Sequence, residues 1–489
     1  MNLRICLIAS EVAPFSKTGG LADVCGALTK YLHAAGHDLR VFTPLYSAID
    51  RTAIAPQPVR GLEDLPLEFG PNRYRYSVLA ARVPGTSAEV YFIDCPTLYA
   101  RAGIYTADPD EHLRFIALTR AAIECCQRLA FSPQIVHAHD WHAGFAPLFL
   151  QVAYSWDALF KSTRSVLTIH NIGYQGVFAA SAVADLGLGA HVDRLHQDDL
   201  RAGHINALKH GIMYAHAITT VSPTYAAEIR TAEYGMGLED ALRARGAALS
   251  GILNGVDYDE WDPRTDRYLP RHYDAAHLKE KAALKQEFLA RSKLTIGARA
   301  PLVGFVSRMA AQKGFDITFD ALPRALGTQE FALVGLGSGE PRYEEFFAGL
   351  QLRFPERVLF HRGYSDELAH WIEAASDLFL MPSLYEPCGL NQMYSLRYGT
   401  VPLVRRTGGL ADTVEHYNRA TRRGTGIVFD DFSPAAFAQA LHTALDLYGQ
   451  QGHWRRLIAN GMSQDFSWTR QGGLYVELYE RLARSATEA

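Results

Sequence analysis

Cysteine is scarce: there are six in 489 residues, at positions 6, 25, 95, 125, 126 and 388. None makes a Cys-x-x-Cys pair or another metal-type spacing. That excludes a disulfide scaffold and fits a reduced, cytoplasmic protein. Long apolar runs are also missing, and no stretch approaches the length of about 18 residues that a membrane span needs. The run Ile5–Ala9 near the N-terminus is too short for a signal peptide. No excess of one charge exists either, with 48 basic against 52 acidic residues and a net charge of −4. A protein that grips nucleic acid over a long footprint is thereby disfavoured. Forty Gly and 22 Pro are ordinary usage, which excludes collagen-like and disordered classes.

What is present is a repeated alternation of short apolar runs, small or polar turns, and stretches of helical period. Expected strands in the first half are Leu3–Ala9, Leu39–Thr43, Glu89–Ile93, Gln134–Ala138, Ser165–Ile169 and Ala217–Val221. In the second half they are Leu302–Val306, Ala332–Val334, Val358–Phe360, Leu378–Met381 and Val401–Val404. Helical stretches between them include Asp316–Leu326 and Gly389–Tyr398. This alternation predicts α/β architecture with parallel sheets covered on both faces. The chain is long enough for about three domains, or for two large ones. Residues 246–262 break the periodicity, carry Gly251, Asn254 and Gly255, and are followed by Pro263, as a hinge would be. Lys17–Val24 and Arg406–Val414 echo each other, each after a strand and opening a helix, and that echo favours two related doubly wound domains. The expected division is 1–247, 248–461 and a terminal helix over 462–489. Residues 51–88 and 181–200 carry no readable pattern.

Four groups of residues carry chemistry. The Gly19-Gly20 turn follows a strand and opens a helix, where backbone N–H groups can approach a phosphate, and Lys17 adds a full charge. Arg308 and Lys313 follow the strand Leu302–Val306 and suit a diphosphate or another anionic leaving group. Gly335, Gly337 and Gly339 read as a loop open to a ligand, and Tyr364 as a ring able to stack on a base. Glu386-Pro387-Cys388-Gly389-Leu390 leads into a helix. Its carboxylate can accept bonds from sugar hydroxyls or stabilise an oxocarbenium-like transition state, and the N–H groups of Cys388, Gly389 and Leu390 can donate. Finally, His137-Ala138-His139-Asp140-Trp141-His142 resembles a metal cluster, but its Asp stands one place early for the dinuclear hydrolase pattern. Asp140, with His170-Asn171 at the end of the next strand, reads better as lining a substrate site.

Taken together, these segments identify a family. KTGGLAD at 17–23, HAHDWHAG at 137–144, HN at 170–171 and SPTYAAEI at 222–229 resemble bacterial glycogen synthase and plant starch synthase. So do GILNGVD at 251–257, SRMAAQKG at 307–314, EPCGLNQ at 386–392 and RTGGLADTV at 406–414. The order matches along the whole chain. Asn391 stands where many bacterial members carry Thr, as plant-type members often do. The resemblance implies the GT-B fold, in which two Rossmann-like domains face each other across a cleft and a C-terminal helix crosses back to the first. It also implies retaining transfer of glucose from ADP-glucose to the non-reducing end of an α-1,4-glucan, with release of ADP and without a metal or cofactor. By that resemblance Glu386, Arg308, Lys313, Asp140 and His170 are the catalytic candidates. Lys17, Gly19, Gly20, Asp23, Asn254, Tyr364, Cys388, Gly389, Leu390, Thr407 and Gly408 are the substrate-binding ones. Three alternatives stay open: a related transferase using UDP-glucose, a zinc hydrolase at His137, His139 and His142, and a non-catalytic sugar- or nucleotide-binding protein.

Overall fold

The computed structural model describes residues 2–297 and 299–487. The chain divides into two compact units. The first runs to Gly255 and takes up the chain again at Trp468; the second is Val256–Ser467.

The strands of the first unit are β1 (Arg4–Ile8), β2 (Asp38–Pro44), β3 (Gln57–Pro58), β4 (Leu65–Phe69), β5 (Asn72–Arg82), β6 (Glu89–Asp94), β7 (Ile135–His139), β8 (Arg164–Ile169), β9 (Val177–Ala179), β10 (His204–Asn206), β11 (Ala217–Thr220) and β12 (Leu249–Gly251). A parallel sheet runs in the order β6-β2-β1-β7-β8-β11-β12. Strands β7 and β11 are buried along their whole length, and β1 and β8 everywhere but their first residue, as in a sheet with helices on both faces. The order reverses between β1 and β7. In open α/β sheets, ligands bind at such a reversal, beyond the carboxyl ends of the strands.

Residues 51–88, unreadable in the sequence, hold an antiparallel extension. Strand β5 pairs with β6 and carries β3 and β4. Leu65, Leu67 and Phe69 of β4 point inward while Pro66 and Glu68 face out. That is the alternation of a sheet covered on one face only. Much of 181–200 forms short 3₁₀ turns, and β9 with β10 makes a small separate ribbon.

The second unit contains β13 (Leu302–Val306), β14 (Ala332–Gly337), β15 (Val358–Arg362), β16 (Leu378–Met381), β17 (Val401–Arg405) and β18 (Ile427–Phe429). All are parallel, in the order β15-β14-β13-β16-β17-β18. The reversal lies between β13 and β16. Both units therefore share one doubly wound plan, outward from a first strand and then back to its other side. The sequence echo does not mark equivalent places in that plan. Lys17–Val24 follows the first strand of its unit, whereas Arg406–Val414 follows the fifth.

The first unit extends eight residues beyond the expected boundary at 247, because β12 pairs in parallel with β11. The terminal helix begins at Trp468 rather than near 462, where the preceding helix Gln451–Met462 ends. Its expected end at Ala489 lies outside the described residues. Tyr475 and Tyr479 are fully buried against the first unit, and the Tyr31 ring of the helix Gly20–Ala34 lies where a side chain at Gly472 would project. The chain thus crosses back to its first unit.

Candidate active site

In the first unit the candidate residues sit on the loops after β1, β7 and β8. The loop after β1 is organised by a buried carboxylate, Glu11. It accepts hydrogen bonds from the Thr18 N–H, the Thr18 hydroxyl (2.8 Å) and the Tyr105 hydroxyl. The Gly19 N–H adds to these, and burial raises the Glu11 pKa despite them. The Gly19 N–H, one of the backbone donors expected to approach a phosphate, is therefore engaged by the protein's own acid. Gly19 itself, in extended backbone, faces open space: a Cβ there would meet nothing within 4 Å. Lys17 and Asp23 pair at 2.8 Å, with side chains 39% and 24% exposed.

Asp140 follows β7 with φ +53° and ψ −168°, a conformation that costs a non-glycine residue about 1–3 kcal/mol and is retained where the surroundings over-determine it. Its buried carboxylate accepts the His170 N–H at 2.7 Å and that of Asn171. One acid thereby ties the β7 loop to the β8 loop. Burial nevertheless lifts its pKa to about 7. His170 is buried and its pKa is pushed down to about 3, so it is neutral; its Nε2 lies 2.9 Å from His139 Nδ1. Asn254 is buried, and its side-chain oxygen finds no partner among the described residues.

The three histidines of the metal-like segment go separate ways. His137 is held by the Tyr479 hydroxyl at 2.6 Å and Thr168 Oγ1 at 2.6 Å. His142 stacks on Tyr105 with ring centroids 4.8 Å apart. Among the described residues His137, His139 and His142 do not converge as ligands, which removes the geometry the zinc-hydrolase reading requires. Among the described residues the set of potential ligands that does converge is Cys25, His139 and His170.

In the second unit the candidates leave β13 and β16, the two strands that flank the reversal. Lys313, in the loop after β13, pairs with Glu386, in the loop after β16, at 2.6 Å, and the Ser383 hydroxyl donates to the same oxygen at 3.1 Å. The pair is well buried, with side chains 19% and 6% exposed. Arg308, on the Lys313 loop, is exposed. Tyr364 follows β15, two strands from the reversal, with its ring exposed and its hydroxyl on Asp366.

Backbone packing holds the Glu386 turn in place. A Cβ on Gly408, whose φ is +43°, would overlap the Glu386 carbonyl oxygen, and one on Gly409 the Cys388 backbone. The Gly409 N–H reaches the carbonyls of Glu386 (3.1 Å) and Pro387 (3.2 Å). Gln392, fully buried, donates to the carbonyls of Cys388 (2.9 Å) and Gly389 (3.0 Å), which fixes the chain before the helix Asn391–Tyr398. Gly389 takes φ +72° at this turn. Thr407 is buried at the start of the helix Gly408–Thr413. The faces of Gly335, Gly337 and Gly339, expected to admit a ligand, are filled instead by the Phe305 ring and by Ser307 and Met309. They let the β14 loop close on the β13 loop, where Met309 and Ser338 bond at 2.8 Å.

Glu11, Tyr105, Ser383 and Gln392 are parts of these sites that the motifs did not single out as ligands. Ser10-Glu11 directly follows the first strand, and Gln392 closes the EPCGLNQ segment; position was the available signal.

Comparison with known proteins agrees with this geometry. Residues 4–244 match the family model described as "Starch synthase catalytic domain", and residues 287–462 match "Glycosyl transferases group 1". The chain is 44% identical over 486 residues to a glycogen synthase of Anaeromyxobacter dehalogenans (strain 2CP-C), covering 98% of this chain and 100% of that one. It is 45% identical over 485 residues to a glycogen synthase of Myxococcus xanthus (strain DK1622), covering 98% and 99%. Among solved structures it resembles the catalytic domain of Starch Synthase IV from Arabidopsis thaliana bound to ADP and acarbose. There the TM-score is 0.91 and the identity 34%, over 99% of this chain and 100% of that one. With two doubly wound units, a returning terminal helix and a buried Lys–Glu pair at the second reversal, the chain belongs to the family of bacterial glycogen synthases and plant starch synthases, glycosyltransferases of the GT-B fold.

Proposed function

We propose that the chain transfers glucose from ADP-glucose to the non-reducing end of an α-1,4-glucan, with retention of configuration and release of ADP. The observation that carries this is the buried Lys313–Glu386 pair, set where the strand order of the second unit reverses. Supporting it is a relative solved with ADP and acarbose.

In this reading Arg308 and Lys313 bind the diphosphate. As the bond from the sugar C1 to the diphosphate oxygen breaks, negative charge gathers on the leaving group, and the two cations stabilise it most at that moment. The bond from C1 to the acceptor oxygen forms on the same face, and the acceptor's proton passes to the departing diphosphate. Glu386 and the N–H groups of Cys388, Gly389 and Leu390 hold the glucose, and the carboxylate supports its oxocarbenium-like character. Lys313 serves both partners, since it neutralises Glu386 before substrate arrives. Asp140, His170 and Asn254 line the sugar site with neutral or hydrogen-bonded groups. Lys17, Gly19, Gly20 and Asp23 contribute from the first Gly-Gly turn, and Tyr364 stacks on the base. Thr407 and Gly408 act through the Glu386 turn they support. No metal or cofactor takes part.

The test is incubation with ADP-glucose or UDP-glucose plus glycogen, followed by quantification of the released nucleoside diphosphate. Faster release of ADP is expected. Preferential release of UDP would overturn the choice of nucleotide, and release of neither would overturn the reading.

A further inference from the structure

Cys25 lies on the buried side of the helix Gly20–Ala34, and the proposed reaction does not use its thiol. Cys25, His139 and His170 each offer a ligand atom within 4.8 Å of the other two, and all three are buried. His139 Nδ1 and His170 Nε2 stand 2.9 Å apart, so two neutral imidazoles share one hydrogen. His139 Nε2 is then left buried and, among the described residues, without a partner. Buried polar atoms are nearly always satisfied, and an orphan of this kind asks for an unseen water or ion.

We propose that Cys25, His139 and His170 form a binding site for one divalent transition-metal cation of the zinc class, and that the ion, by holding His170, slows glucosyl transfer. The second half rests on the placement of His170 at the sugar site. A thiolate with two imidazoles is a donor set for zinc rather than for magnesium or calcium, which take oxygen ligands. Three protein ligands leave a fourth position for water. Bonds of about 2.3 Å to sulfur and about 2.0 Å to nitrogen bring ligand atoms roughly 3.5 Å apart, so the present span closes with side-chain movements of about 1 Å. Binding displaces the thiol proton to solvent and leaves the thiolate on the metal. Burial raises the pKa of the Cys25 thiol, and the nearby Asp140, Glu11 and Asp23 raise it further; those three acids favour a cation that replaces the proton. His170, the least buried of the three, is the side from which an ion enters.

The test uses the full chain, stripped with EDTA and titrated with Co²⁺ and, separately, with Zn²⁺. A near-ultraviolet thiolate-to-cobalt absorption and one Zn²⁺ per chain are expected. In Cys25→Ala the absorption disappears and affinity falls roughly tenfold or more, while ADP release in EDTA is unchanged. Cys25→Ser, which keeps the side-chain shape, also loses the absorption. Absence of the band in the wild-type chain, or equal Zn²⁺ affinity in wild type and both variants, overturns the site. A band with ADP release indifferent to Zn²⁺ leaves the metal site standing and overturns the placement of His170 at the sugar. The band reads the metal independently of transfer, so a chain that releases no ADP fails the proposed function alone.

Discussion

The two Gly-Gly turns are spelled almost alike, Lys17-Thr18-Gly19-Gly20-Leu21-Ala22-Asp23 and Arg406-Thr407-Gly408-Gly409-Leu410-Ala411-Asp412, and they do different work. The first follows the opening strand of its unit. Its Gly19 faces open space, and a buried acid holds the turn from behind. The second follows the fifth strand, and its glycines are pressed against the carbonyls of Glu386 and Cys388. One turn leaves room and the other fills it. The same contrast separates the two reversals: the first gathers two buried acids, Glu11 and Asp140, whose raised pKa values come from burial, and the second buries a carboxylate directly against Lys313. Local spelling does not decide what a glycine is for; the backbone that arrives from elsewhere does.

The sharpest way to break the comparison is at the two lysines. Lys313→Ala removes the cation beside a nearly buried carboxylate and the charge proposed to meet the leaving group. Turnover is expected to fall on the order of 10²–10³-fold, with glucan binding little changed, and Glu386→Ala should match it. Near-wild-type ADP release in both variants would sink the assignment of the second reversal as the chemical centre. Next come the glycines. Gly408→Ala forces a side chain onto the Glu386 carbonyl at a left-handed φ, for about 3 kcal/mol of overpacking and strain, and it displaces Glu386, so turnover falls as well. Gly19→Ala meets neither obstacle and should unfold within about 1 kcal/mol of wild type, its effect confined to KM. Equal denaturation midpoints for the two variants would erase the distinction.

Much of this fold was legible because parallel strands buried on both faces read as unbroken apolar runs. Leu302–Val306 and Leu378–Met381 were found to the residue. The hairpin around β4 and β5 was not legible, because Leu65, Leu67 and Phe69 alternate with exposed neighbours and form no unbroken apolar run, although Gly70-Pro71 marks a turn. Lys313 and Glu386 were readable as charges beyond strand ends, but their pairing was not, for 73 residues separate them. The inference of two related units was correct, yet the echo offered for it joins a first strand to a fifth; the shared strand order is the real evidence. Glu11 was invisible as an organiser because Tyr105, one of its partners, stands 94 residues away.

The buried acids can be compared by titration. Asp140 is held up near 7 by burial, whereas an unfolded carboxyl titrates at about 4. A carboxyl whose pKa is raised on folding binds its proton more tightly in the native state. Its stabilising contribution is complete below about pH 4 and is lost as the pH rises through about 7. Asp140→Asn keeps an oxygen acceptor for the His170 and Asn171 N–H groups and removes the titration. Between pH 5 and pH 7 the wild-type chain should lose about 2 kcal/mol relative to the variant, read by urea unfolding at each pH. Parallel stability curves would mean that Asp140 is solvated like an ordinary acid.

The smallest effect belongs to Lys17. Its pair with Asp23 has the short contact of the Lys313 pair but much greater exposure, 39% and 24% against 19% and 6%. Solvent screens such a pair, and ordering two mobile side chains offsets most of the Coulomb gain. Lys17→Ala should therefore change stability by less than about 1 kcal/mol, a difference that shrinks further with added salt. If the first turn only receives substrate, KM for the sugar nucleotide rises while turnover in saturating substrate stays within a few-fold of wild type. A fall in turnover as deep as that of Lys313→Ala would put Lys17 at the breaking bond, and the two turns would then share one task despite their different packing.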